Sequence, residues 1–223
     1  MNNRLYKISS YLKDGRGVID VGTDHGYLPI ELCQKGYNGN IIASDINSDP
    51  LNKAVRAAET AGFSDRITFQ LCNGLEMCDP AMVDSIVIAG MGGDTICSIL
   101  EAAAWCKNPD YTLYLQPMSK SEILRKWLAD NGFGIVSEDL VVDNETIYQI
   151  ISAKYQVPVF LNEAQYYIGD KALHSDLVLY EEYRKKLIKR FDKAIKGMSE
   201  AENRDMASKI FEMKTILEQL EMI

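Results

Sequence analysis

The sequence predicts an α/β protein with a doubly wound, seven-stranded, mostly parallel sheet, followed by a helical, coiled-coil-like tail. Five short apolar runs alternate with helical segments, as expected for strands covered on both faces, at 17–21, 40–45, 67–72, 85–89 and 111–115. Two further strand-like runs, 134–142 and 146–154, flank a short polar link that predicts an antiparallel hairpin at the sheet edge. Beyond residue 168 strand patterns are absent. These three observations indicate β-α units that end in a hairpin.

Two of the intervening helices carry terminal signals. Asp49-Pro50 is typical of an N-cap followed by proline at the first helical position, and Gly62 is typical of a C-terminal stop. The run 119–122, Ser-Lys-Ser-Glu, matches a capping box that would open a helix over 123–131, with Gly132 as its stop.

A boundary is expected near Pro158, which divides the chain into a domain over 1–156 and a helical domain over 157–223. Apolar residues at steps of three and four predict two helices, 171–196 and 201–222, with a turn at 197–199. The tail is therefore predicted to be a helical hairpin.

Composition limits the classes of function. The 223 residues, 47% hydrophobic, can bury one core plus an appendage, and neither a membrane span nor a secretory signal is expected. Five cysteines without a C-x-x-C pair predict reduced thiols in a cytoplasmic protein, without a metal site. The net charge of −8 weighs against a nucleic-acid partner. However, seven basic residues against one acid between Arg184 and Lys196 would create a local positive field.

The carboxyl end of the first strand predicts a cofactor site, because ligands of open α/β sheets bind at that edge. Asp20, Gly22 and Thr23 begin this turn. The dinucleotide pattern G-x-G-x-x-G is missing, since Asp24 occupies its second glycine position. A carboxylate there would repel a pyrophosphate but attract an ammonium or sulfonium group. The turn therefore favours S-adenosylmethionine over NAD or FAD.

Later strand ends extend this site. Asp45, followed by Ile46, ends the second strand, where an acid can accept hydrogen bonds from ribose hydroxyls. Asn73 and Gly74 follow the third strand, where a polar side chain could read an adenine edge. The fourth strand leads into Ala89 and a glycine loop that would let backbone approach the reaction centre, Gly90-Met91-Gly92-Gly93.

Three motifs resemble the bacterial tRNA (adenine-22-N1)-methyltransferase family: Asp-His-Gly-Tyr-Leu-Pro at 24–29, Gly-Met-Gly-Gly at 90–93, and Leu-Gln-Pro at 115–117. The resemblance implies a class I methyltransferase domain, a helical tail, a tRNA substrate and an N1-methyladenine product. It assigns Asp20 and Gly22 to the methionine end of the cofactor, Asp45 to the ribose, and Asn73-Gly74 to the adenine. Family members commonly have an acid at the position of Asn73 and an asparagine at that of Met118.

Substrate contacts are predicted at the same edge. We expect Asp24, helped by His25, to contact the adenine that is methylated, and Tyr27 to stack on a base or to pack in the core. Met91, Gly92, Gln116 and Pro117 are expected to line the acceptor pocket, and four residues of the basic run to hold tRNA phosphates, Lys185, Lys186, Lys189 and Arg190.

Alternatives stay open from sequence. One is a methyltransferase of small molecules with a dimerising tail, and another is a non-catalytic module whose tail binds a protein partner. The expected assembly is a monomer or a weak homodimer.

Overall fold

The computed structural model describes residues 3–155, 161–200 and 206–223. The helices are α1 (Asn3–Tyr11), α2 (Tyr27–Gln34), α3 (Ser48–Ala61), α4 (Gly93–Ala102), α5 (Ser121–Asp130), α6 (Glu163–Ile168), α7 (Leu177–Glu200) and α8 (Ala207–Met222). The strands are β1 (Gly17–Val21), β2 (Asn40–Asp45), β3 (Ile67–Leu71), β4 (Ser85–Gly92), β5 (Thr112–Ser119), β6 (Phe133–Asp143) and β7 (Thr146–Tyr155).

The seven strands form one sheet in the order β3-β2-β1-β4-β5-β7-β6. The first five pair in parallel, and β7 lies antiparallel to both β5 and β6. The predicted fold class is therefore confirmed. The order reverses between β1 and β4, which is where an open α/β sheet forms its ligand crevice.

Two apolar clusters cover the faces of the sheet, as the continuous apolar strands predict. One surrounds Ile19, Ile86 and Leu113, and the other surrounds Val18 and Val87. Neighbouring residues of β1 thus point to opposite faces, and both faces are buried. Because apolar residues pack on both faces of the central strands, the positions of their carboxyl ends, where a site would lie, are fixed.

The C-terminal helices pack against the β6–β7 hairpin and against each other. Leu140 of β6 joins the cluster of the tail, in which Tyr180, Phe191 and Leu220 are buried. Arg125 of α5 adds a buried polar link, since its Nε lies 2.7 Å from Glu138 Oε1 and its Nη1 donates to the Tyr166 carbonyl at 3.0 Å. The boundary after residue 156 stays a prediction.

Several predicted boundaries are wrong. Residues 197–199 continue α7 and form no turn, and residues 201–205 lie outside the described part of the chain. The capping box at 119–122 is not formed, because Ser119 belongs to β5 and Lys120 (φ 56°) precedes α5 without a side-chain cap. Helix α3 begins at Ser48, with Asn47 rather than Asp49 at the N-cap position. Gly62 closes α3 in the left-handed conformation, as predicted.

Candidate active site

A cleft of about 410 Å³ opens at the carboxyl edge of the parallel strands. Its walls come from the ends of β1, β2 and β4, from the segment after β3, and from α4. Seven of the nine predicted cofactor residues line it directly: Gly22, Asp45, Ile46, Asn73, Gly74, Ala89 and Gly90. The other two, Asp20 and Thr23, are not among its lining residues, whereas Met91, predicted on the acceptor side, is. The structure therefore brings together strand ends that lie far apart in sequence.

The turn after β1 is tight and requires glycine. Gly22 adopts φ 75°, and a Cβ built on it would lie within 3.0 Å of Met91 Cε. The N–H groups of Gly22 and Thr23 donate to the Ser44 carbonyl at 2.8 and 3.0 Å. These hydrogen bonds hold the turn against β2, and the Met91 side chain packs against it from β4.

Asp20 lies beneath this turn and is 5% exposed. Burial raises the pKa of Asp20 to about 6; Thr23 opposes that shift, and the nearby Asp45 adds to it. A buried carboxylate next to another acid is stabilised when a cation binds nearby, which fits the predicted place of Asp20 near the methionine end.

Asp45 ends β2 at the wall of the cleft and is 8% exposed. Its Oδ1 accepts a hydrogen bond from the Asn47 N–H at 2.8 Å, which orients the carboxylate. Ile46 beside it is 63% exposed and offers an apolar surface to the cleft. An oriented acid next to an apolar side chain suits a ribose and the face of an attached base.

The segment after β3 forms a second polar wall. Asn73 Nδ2 donates to Glu76 Oε1 at 3.0 Å, and both residues line the cleft. Gly74 adopts φ 57°, and a Cβ there would lie 3.0 Å from Ile99 of α4. The Asn73 amide is thus fixed by Glu76.

Asp24 and His25 belong to a short 3-10 helix, Asp24–Gly26, which follows the turn after β1 and lies outside the residues that line the cleft. Their side chains are 64% and 42% exposed, with His25 Nε2 3.5 Å from Asp24 Oδ1. His25 has φ 59°, which is uncommon for a residue with a side chain and recurs at functional sites. Its ring stacks 5.4 Å from that of Tyr27, which is 48% exposed. Accessible acid, imidazole and phenol groups therefore form one cluster.

The glycine segment differs from the predicted loop. It continues β4 to Gly92, with register shifts around Met91 opposite Pro117 of β5. Gly90 has φ 81°, and Gly93 begins α4 so close to Lys120 that a Cβ there would meet the Lys120 carbonyl. Close approach of backbone, predicted for these glycines, is thus used for packing against β5 as well as for lining the cleft.

The Gln116 side chain is buried and is not exposed to a ligand in this structure. Its expected direct contact with the substrate therefore stays a prediction. Its Oε1 accepts from Arg4 Nη1 at 2.6 Å, and its Nε2 donates to the Pro117 carbonyl at 2.9 Å. Pro117 lines a separate polar groove, together with Tyr148, Tyr183 and Arg190. This groove links the end of β5 to α7.

The basic run lies on α7, and its four selected residues are exposed, Lys185, Lys186, Lys189 and Arg190. Lys186 is paired with Glu182 at 2.9 Å. Lys186 and Arg190 also line a groove beside the β6–β7 turn. Because that turn lies at the carboxyl edge, part of the basic face adjoins the same end of the sheet as the cleft.

Sequence reasoning missed the α4 wall of the cleft, which is formed by Thr95, Ser98, Ile99 and Ala102. Their spacing of three and four residues places them on one helical face and is the signal that could have found them. It also missed Arg4, because α1 was not predicted as a helix.

The fold and the cleft together define the class of protein to which this chain belongs. A switch-point cleft lined by acids and glycines, in a seven-stranded sheet with an antiparallel β7 inserted beside β5, is typical of Rossmann-like class I methyltransferases. In the described part of the chain, no group of three or more His, Cys, Asp or Glu side chains could hold a metal ion. None of the described helices is long and apolar enough to cross a membrane.

Comparisons with known proteins agree with this class of protein. Residues 1–151 match the family model described as a methyltransferase domain. The chain is 30% identical over 154 residues to the tRNA (adenine(22)-N(1))-methyltransferase of Bacillus subtilis, covering 69% of this chain and 65% of that relative. Because the family model matches more than half of the chain, the chain belongs to the methyltransferase-domain family.

Two solved structures are similar over nearly the whole chain. Sp1610 of Streptococcus pneumoniae, solved in complex with S-adenosyl-L-methionine, is 30% identical with a TM-score of 0.79, over 96% of this chain and 98% of that one. The B. subtilis m1A22 tRNA methyltransferase TrmK has a TM-score of 0.88, over 100% of this chain and 97% of that one. At 24% identity it supports the fold alone.

Proposed function

We propose that this chain transfers the methyl group of S-adenosylmethionine to N1 of an adenine in tRNA, at position 22. The cleft at the switch point of the sheet is the observation that carries the proposal. The Bacillus subtilis relative, which bears this activity in its name, supports the substrate and position. We place the reaction in the cytoplasm, where tRNA is found.

The residues of the cleft suit this cofactor better than a dinucleotide. Among the described residues that line it, none is Lys, Arg or His, whereas Asp45 and Glu76 are acidic. A pyrophosphate would meet no cation there, while a sulfonium and an ammonium would meet carboxylates. Gly22 and Gly74 bring the backbone close to Met91 and Ile99, where a Cβ would collide. We assign Asp20, Gly22 and Thr23 to the methionine end of the cofactor and Asp45 and Ile46 to its ribose. Asn73 and Gly74 are assigned to its adenine, and Ala89 and Gly90 to the remaining wall.

When bound, the cofactor supplies an electrophilic methyl group. The N1 lone pair of neutral adenine is the nucleophile, so the protein needs no base to create it. Its task is to hold N1 in line with the methyl group, and such positioning contributes about 7–11 kcal/mol. N1 lies on the Watson–Crick edge, so the base must leave its stack or pair.

Asp24 is the residue we assign to the adenine. Its carboxylate is 64% exposed, two residues after the cleft-lining Gly22, and can accept a hydrogen bond from the exocyclic amine. That bond would favour the cation formed after transfer. His25 holds Asp24 from one side, and Tyr27 offers a half-exposed ring for stacking. Met91, Gly92 and Pro117 would complete the acceptor side.

We assign the exposed residues of α7, Lys185, Lys186, Lys189 and Arg190, to tRNA phosphates. The groove that joins Pro117 to Tyr183 and Arg190 supports this, because it connects the end of β5 with the basic helix. Phosphate contacts of this kind position the RNA without reading its sequence. We expect a monomer or weak homodimer, which light scattering across a concentration series would measure.

The test is methylation of unmodified tRNA with isotopically labelled S-adenosylmethionine, followed by nucleoside mass spectrometry. We expect N1-methyladenine in wild-type tRNA and none in tRNA with guanine at position 22. Asp24→Asn should lower kcat by about 10- to 100-fold, whereas the exposed Asp65→Asn should not change it.

Three outcomes would contradict parts of the proposal. Methylation of small molecules without RNA would support the alternative acceptor class. Failure to bind S-adenosylmethionine would support a non-catalytic module. Equal activity of Asp24→Asn and wild type would remove Asp24 from the adenine site while leaving the reaction intact.

A further inference from the structure

Arg4 of α1 makes an unusual set of contacts at the carboxyl edge of the sheet. Its Nη1 donates to Gln116 Oε1 at 2.6 Å and lies 3.0 Å from Met118 Sδ. Its Nε is 3.5 Å from Asp143 Oδ2, and its guanidinium lies 4.6 Å from the centre of the Tyr148 ring. One side chain, 17% exposed, thus joins the end of β5 to both strands of the β6–β7 hairpin.

Gln116 connects these contacts to the cleft. It is 0% exposed and pairs in register with Ala89, while Pro117 pairs with Met91. Ala89 and Met91 both line the cleft. Between them the register shifts, so the ladder of β4 and β5 is irregular at this point. The position of the β5 end therefore depends on side-chain contacts as well as on the strand ladder.

We propose that Arg4 is a positioning residue for methyl transfer, which holds segment 116–118 against the acceptor side of the cleft. The inference rests on the proposed function and adds a residue from outside the cleft walls. Arg4 acts through Gln116 and touches neither substrate nor cofactor. Misplacement of a supporting segment by about 1 Å can lower a rate by about 100-fold.

The shape of the side chain matters as much as its charge. A guanidinium can bond Gln116, approach Asp143 and stack on Tyr148 at once, because it is planar and carries several donors. A lysine at position 4 would keep the charge but make fewer of these contacts. The expected order of activity is therefore wild type, then Arg4→Lys, then Arg4→Met.

The chain offers a matched control on the same helix. Lys7 Nζ lies 3.4 Å from Asp139 Oδ1, so its ion pair also joins α1 to β6, away from the Gln116 link to β5. We expect Arg4→Met to lower kcat for tRNA methylation by about 10- to 100-fold, with the Kd of S-adenosylhomocysteine within about twofold of wild type. Lys7→Met should change kcat by less than about twofold.

Two further measurements separate positioning from general stability. Hydrogen exchange should become faster in peptides spanning 115–120 in Arg4→Met, and stay unchanged in peptides spanning 17–21. In a double-mutant cycle, Arg4→Met and Gln116→Met should be strongly non-additive, because both remove the same link.

Several results would overturn the inference. These are an unchanged kcat in Arg4→Met, an additive cycle, an equal loss in Lys7→Met, or unchanged exchange at 115–120. A wild-type protein that does not methylate tRNA would refute the proposed function instead. The exchange measurement would still decide whether Arg4 holds the segment.

Discussion

Replacement of Gly22 by alanine tests the turn on which the cofactor site depends. Gly22 has φ 75°, a conformation that costs a residue with a Cβ about 1–2 kcal/mol. The new methyl group would also lie within 3.0 Å of Met91 Cε, the end of a flexible side chain. Met91 must then move, and it lines the cleft. If the displaced Met91 side chain must adopt an unfavourable rotamer to admit the ligand, the cost is about 0.5–1.5 kcal/mol. This cost corresponds to a Kd that is about two- to tenfold weaker.

Gly62→Ala provides the control, because Gly62 has φ 77° with open space around it and lies at the end of α3. Both variants should lose about 2–8 °C in Tm. Titration calorimetry with S-adenosylhomocysteine should show weaker binding in Gly22→Ala and unchanged binding in Gly62→Ala. Adding Met91→Ala to Gly22→Ala should recover most of the affinity. Equal affinities in the two glycine variants would refute the steric argument.

Three further predictions concern the replacement of charged side chains. Asp20→Asn removes a carboxyl whose pKa is raised to about 6 in the folded protein. Because the folded state then holds this proton more tightly than the unfolded state, wild type should lose stability relative to the variant as pH rises from about 4 through 6. Measurement of Tm across this pH range would show the difference. Arg125→Met leaves the buried Glu138 carboxylate without its guanidinium partner and should cost about 3–5 kcal/mol in chemical denaturation, with part recovered by adding Glu138→Gln. Lys185→Gln with Lys189→Gln should weaken tRNA binding and reduce its salt dependence, measured as Kd against salt concentration.

Each of these has an outcome that contradicts it. A Tm difference between Asp20→Asn and wild type that is flat from pH 4 to 7 would show that this carboxyl does not titrate as inferred. A loss below about 1 kcal/mol in Arg125→Met would mean that the buried pair does not link α5 to β6. Salt dependence that falls equally in Lys107→Gln with Lys126→Gln, whose lysines are exposed elsewhere, would remove the specific role of α7.

The strands could be predicted from sequence because each is a short apolar run with polar residues at its ends. The run 40–45 matched β2, and 85–89 began at the first residue of β4. Strands covered on both faces must be apolar at nearly every position, so the pattern is local and visible. Gly62 was equally visible, because a left-handed helix end favours glycine.

Errors arose where neighbours in space override local signals. Residues 197–199 look like a turn, yet they continue a helix whose apolar residues pack against α8 and the β6–β7 hairpin. Ser119 looks like a helix cap, yet it pairs with Gly92 at the end of β4. In both places a tertiary contact decides between two conformations that the local sequence allows.

The sequence by itself determined the class of fold, the methyltransferase family and the acids and glycines that follow each strand, because these depend on local patterns and motifs. The tertiary structure decided which of them share one cleft, that α4 completes its wall, and that Arg4 reaches Gln116 across 112 positions of chain. Such contacts depend on how strands and helices pack, and residue spacing along the chain carries no direct record of that packing.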